Sequence, residues 1–83
     1  MLELITSDGN VPIHDVKNNY AITHKWNGID TLHFELYLDD PAFPQLAEEA
    51  YIYETTEEQT YVIKGIDAGS STADVDCQLN LEA

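Results

Sequence analysis

The chain has 83 residues, enough for one domain, and a domain this short buries only about 60–65% of the surface its unfolded chain exposes. Sixteen acidic residues against three basic ones give a formal net charge of −13, which repels phosphate and excludes ordinary nucleic-acid binding. The acids are spread among plentiful aliphatic and aromatic residues, so the composition predicts a folded acidic domain rather than a disordered tail.

With one cysteine there is no internal disulfide, and no Cys/His spacing fits a structural metal. No apolar run reaches the length of a membrane span, and Met1 to Asp8 lack a basic leader region. A soluble protein made in a reducing compartment is the expectation.

In chain order, Leu2 to Thr6 reads as a short opening strand, and Ser7-Asp8-Gly9-Asn10 as a turn with Gly9 at its positive-φ position. Val11-Pro12-Ile13 can return as an edge strand, because Pro12 has no N–H for a central ladder. His14 to Asn19 reads as a loop.

The stretch that organises the chain follows. Tyr20, Ile22, His24 and Trp26 alternate, Asn27-Gly28 is a hairpin signal, and Leu32, Phe34, Leu36 and Leu38 alternate with Thr31, His33, Glu35 and Tyr37. A loop of two or four residues would place Ile22 on the polar face of the second strand. An odd loop brings the apolar sets together, with Ile22 opposite Phe34 or Leu36, and a bulged or five-residue turn over residues 27–31 is predicted.

Beyond Leu38, Asp40-Pro41 resembles an N-cap followed by proline at the first helical position. One short helix is predicted over residues 42–48, with Phe43, Leu46 and Ala47 covering an open end of the sheet. Ala50 to Thr55 is a strand with Tyr51 and Tyr53 on one face and Ile52 on the other. Thr60 to Asp67 carries Tyr61 and Ile63 against Val62 and Ile66, a pattern for a strand covered on both sides or meeting another subunit. Asp67 to Ser71 is a turn, and Thr72 to Leu81 alternates strictly, with Asp74, Asp76, Gln78 and Asn80 outward. The fold class predicted is mainly β: a small antiparallel barrel or sandwich of about six strands with one short helix. The chain stops almost at the end of a strand, so residues 1–83 are expected to be one domain at the front of a longer polypeptide.

Trp26-Asn27-Gly28-x-x-Thr31-Leu32-x-Phe34-x-Leu36 follows a strand and precedes an acidic, proline-bearing loop; then come Ala50-Tyr51-Ile52-Tyr53 and Gln59-Thr60-Tyr61-Val62-Ile63-Lys64. In order and spacing, residues 2–81 resemble the N-terminal region of tail proteins from siphophages and prophages of Gram-positive bacteria. That family is described as phage minor structural protein, prophage tail endopeptidase or tail-associated lysin. Tyr61-Val62-Ile63 replaces the family's usual Phe-x-Ile. The resemblance implies a baseplate-hub-like barrel, three copies in a ring continuing the tail tube, other tail proteins as partners, and a virion location after synthesis in the host cytoplasm. It places any peptidase or lysin activity further along the longer polypeptide, beyond these 83 residues. In such a ring, carboxylates would line the channel and let DNA slide past unbound; Glu35, Asp74, Asp76 and Glu82 are the candidates.

Candidate chemistry is sparse. His24 and His33 lie on neighbouring predicted strands but have no third ligand at a suitable spacing, and His14 stands apart, so a structural reading is preferred for all three. Ser7-Asp8 and Ser70-Ser71 lack a nearby base. Asp39-Asp40 with Glu48-Glu49 has neither the spacing nor the glycine of an EF-hand. Cys77, within Ala73, Val75, Cys77, Leu79 and Leu81, reads as a buried hydrophobe. Trp26, Tyr37, Tyr51, Tyr53 and Tyr61 read as core or interface aromatics rather than a sugar platform. No catalytic, cofactor-binding or metal-binding residue, no small-molecule ligand and no membrane insertion is predicted. Two function classes remain: a structural assembly module of a phage tail tip, and a free-standing acidic binding protein such as a DNA-mimicking inhibitor of a basic enzyme.

Overall fold

The computed structural model describes residues 1–13, 16–26 and 28–81, apart from the side chain of Asn18. His14, Glu82 and Asn27 of the predicted turn lie outside the described residues. The strands are β1 (Leu2–Thr6), β2 (Gly9–Ile13), β3 (Val16–Thr23), β4 (Thr31–Tyr37), β5 (Tyr51–Glu54), β6 (Gln59–Ala68) and β7 (Thr72–Leu79). All pair antiparallel in one sheet of order β2-β1-β5-β6-β7-β4-β3. The mainly β, antiparallel class expected from the alternation is what forms, with seven strands rather than six.

Connectivity forces the sheet to curl. Laid flat, the axes of β2 and β3 would stand about 29 Å apart at the usual strand spacing. Ile13 and Val16, however, are three residues apart, a reach of at most about 11 Å. The result is a half-barrel whose inner wall carries Leu2, Leu4, Ile13, Leu32, Phe34, Leu36, Ile52, Tyr61, Ile63, Val75 and Cys77, all buried. Pro12 sits on the edge strand β2, as its missing N–H requires. Gly9, immediately after the two-residue loop Ser7–Asp8, has φ +114°, a conformation open to glycine.

Two bulges correct the simple alternation. In β3, four steps from Lys17 to Ala21 oppose two steps of β4, from Glu35 to His33. Asn19 absorbs the excess at φ +67°, and its Oδ1 accepts the Tyr20 amide at 2.9 Å. Val16 and Lys17, predicted as loop, are thereby in the strand. In β6, Ile63 opposes Cys77 while Gly65 opposes Asp76, so two steps meet one. The phase flips there, and Ile66 turns inward against the core. The apolar pattern on both faces of this strand therefore reports a bulge, not double coverage; Val62 stays outward and half-buried.

The central hairpin keeps the predicted parity but not the predicted pairs. Ile22 opposes Leu32 and Thr23 opposes Thr31, leaving a seven-residue connection over residues 24–30. The Asp30 carboxylate widens it, accepting the Lys25 amide at 2.9 Å and contacting His24 Nδ1 at 2.8 Å. His24 and Trp26 thus leave the ladder, and Trp26 is 94% exposed.

The helix predicted over residues 42–48 is a single 3-10 turn, Phe43–Gln45. Pro41 and Pro44 withhold two amides, and Asp40 caps an Asx turn instead, its Oδ1 accepting the Ala42 amide at 2.8 Å. Ala42, Phe43 and Leu46 cover the core end, whereas Ala47 is exposed. The last strand closes at Leu79, and Leu81 projects into solvent.

Candidate functional site, an assembly face

Strand register lays out the face opposite the core row by row. One row runs Lys17, Glu35, Asp74, Asp67 across β3, β4, β7 and β6. The next runs Ala21, His33, Asp76, Gly65. A third runs Thr31, Gln78, Val62, Tyr51, Ile5, reaching β1. The first two rows carry Glu35, Asp74, Asp67 and Asp76, whereas the third carries no charge and ends in Val62, Tyr51 and Ile5.

At the acidic end, Glu35, Asp74 and Asp67 are cross-strand neighbours, a placement that is mutually repulsive. Lys17 Nζ lies 3.8 Å from Glu35, His33 Nε2 lies 3.3 Å from Asp74, and the Thr72 hydroxyl donates to Glu35. These contacts relieve only part of the repulsion. Of the four acids proposed from sequence, Glu35, Asp74 and Asp76 share this face. Asp67 joins them, which straight alternation hides because the β6 bulge reverses its side.

At the other end, Tyr51, Val62, Ile29 and Leu81 line an open groove of about 300 Å³, flanked by the Glu49–Lys64 ion pair at 3.2 Å. The aromatics Tyr51, Tyr37 and Trp26 are exposed, as is the aliphatic Ile29, whereas Tyr61 is a core residue. Tyr53 is half-buried beside Glu3 of β1.

The polar centre that sequence reasoning missed lies inside. Glu54 follows Ile52 at inward parity and is 0% exposed. Its carboxylate accepts hydrogen bonds from the Tyr20 hydroxyl and the amides of Thr56 and Glu57, with the Met1 ammonium 3.8 Å away. Burial alone would push its pKa up, but the hydrogen bonds from Tyr20, Glu57 and Thr56 outweigh it and hold the group below the usual glutamate range. Tyr20 is on the edge strand β3, so this bond crosses the open side of the half-barrel. The parity signal was present in Tyr51-Ile52-Tyr53-Glu54; an inward glutamate simply had no visible partner.

The two described histidines, His24 and His33, do not converge. His24 contacts Asp30 and Glu57, and His33 contacts Asp74. The acids weighed for calcium also separate in role: Asp40 holds a backbone turn and Glu49 pairs with Lys64. Among the described residues, no group of three or more His, Cys, Asp or Glu could hold a metal ion. Burial raises the Cys77 thiol to about 12.

A curled, all-antiparallel half-barrel sheet defines a small β-rich domain, and comparison with known families gives it a place. The chain belongs to the prophage endopeptidase tail N-terminal domain family, whose model matches residues 4–79. It is therefore a phage-tail domain, found in the virion tail among other tail proteins. No curated protein and no solved structure matches it.

Proposed function

We propose that residues 1–83 form a non-enzymatic, baseplate-hub-like structural module at the front of a longer tail-tip protein. Three copies close into a ring continuous with the tail tube, and no cofactor takes part. The observation that carries this reading is the segregation of Glu35, Asp67, Asp74 and Asp76 on the outward face. Turned toward a channel, these carboxylates repel passing DNA, the reverse of binding by counterion release. The apolar end, with Tyr51, Val62 and Leu81, is where acidic copies can approach one another without opposing like charges.

The mass in solution of the full-length polypeptide, with an image of the assembled tail tip, tests this directly. Three copies with the acidic rows facing the lumen is the expected result. A monomer, or a ring with these acids on its outer wall, sinks it.

A further inference from the structure

Two connections meet at His24: the β3–β4 loop over residues 24–30 and the β5–β6 turn over residues 55–58. Its Nδ1 is 2.8 Å from Asp30 Oδ2, and its Nε2 is 3.3 Å from a Glu57 carboxylate oxygen. Both partners are acceptors. A neutral imidazole donates from one nitrogen only, so the other would turn a lone pair toward a carboxylate. The imidazolium alone satisfies both contacts.

Each anchor is itself fixed. Asp30 accepts the Lys25 amide at 2.9 Å, and its own carbonyl accepts the Leu79 amide at 2.9 Å. The Glu57 amide donates to buried Glu54 at 2.6 Å. From β6, Tyr61 lies in the field of both Asp30 and Glu57; burial first and these charges second push its hydroxyl upward.

We propose that Asp30, His24 and Glu57 form a protonation-dependent latch, in which the His24 imidazolium ties the β3–β4 loop to the β5–β6 turn. Loss of one proton releases Glu57, because the shorter Asp30 contact retains the remaining N–H. Opening the latch separates the His24–Trp26 end of the loop from the β5–β6 turn, while the Leu79 amide still holds the Asp30 carbonyl. The hydrogen bonds from His24 to Asp30 and then Glu57 raise the imidazole above its ordinary value. The sign follows: the latch is closed below the histidine pKa of the unfolded chain and lost as pH rises through the higher folded value.

The test is a pH titration of the intact chain by NMR, following the ring protons of His24 and the backbone amides of residues 25, 56 and 57, alongside the anisotropy of Trp26, the sole tryptophan. All are expected to move together, at a midpoint above that of His24 in urea. In Glu57→Gln the amide can donate to a neutral Nε2, so the His24 midpoint falls and residues 56 and 57 cease to follow it. His33→Gln should leave the transition in place. A His24 midpoint at or below the unfolded one overturns the latch. So does a Glu57→Gln variant that keeps the wild-type transition, or a Trp26 signal indifferent to His24.

Discussion

A carboxylate with no access to water is tolerable only when its oxygens are fully engaged, and Glu54 meets that condition through three hydrogen bonds. Its folded pKa lies below the unfolded one, so its contribution is present above the unfolded value near 4.5 and is lost as pH falls through the lower folded value. Urea unfolding at pH 7 and pH 3 should therefore show a stability difference that Glu54→Gln reduces. Tyr20→Phe should cost about 1–3 kcal/mol by removing a hydrogen bond to a charged acceptor. An unchanged midpoint in that variant would mean the bond across the open side does not form. Cys77, with its thiol raised to about 12, should react with a thiol reagent at pH 8 only after urea unfolds the chain.

The bulge in β6 decides which side chains belong to the core. Ile66 faces inward despite sharing sequence parity with outward Val62. Ile66→Ala should cost about 2 kcal/mol, near the lower end for a large aliphatic partly removed from water. Val62→Ala should cost less than about 1 kcal/mol, measured in the same urea series. The reverse ranking would place the phase change elsewhere. Strand-forming stretches such as Leu32 to Leu36 were legible because one uninterrupted alternation fixes both element and face, although Leu38, predicted to continue it, lies in the turn beyond β4. Thr60 to Asp67 misled because an extra residue in one strand leaves no mark in hydrophobicity, only a broken rhythm. The helix over residues 42–48 misled for a related reason: Asp40-Pro41 opens a turn as readily as a helix, and Pro44 then cuts it short.

For the whole molecule, net charge is the term that composition fixes most firmly. A net charge of −13 gathered into a small fold repels itself, and that repulsion is larger folded than unfolded. Raising NaCl from about 10 mM to about 0.5 M shortens the screening length from about 30 Å to a few ångströms and should raise Tm. A flat or falling Tm would show that the ion pairs of Lys17 and Lys64, which salt weakens, outweigh the repulsion between acids.

The sequence by itself determined the β class, the inward set from Leu32 to Leu36, the edge position of Pro12 and the acidity, because each follows from local periodicity, backbone chemistry or a count. The tertiary structure alone decided that Glu54 meets Tyr20, that His24 lies between Asp30 and Glu57, and that Asp67 joins Asp74 and Glu35. Those pairings depend on two bulges and on the curl that brings β3 near β5, and such distances are set by how the whole sheet closes rather than by neighbours along the chain.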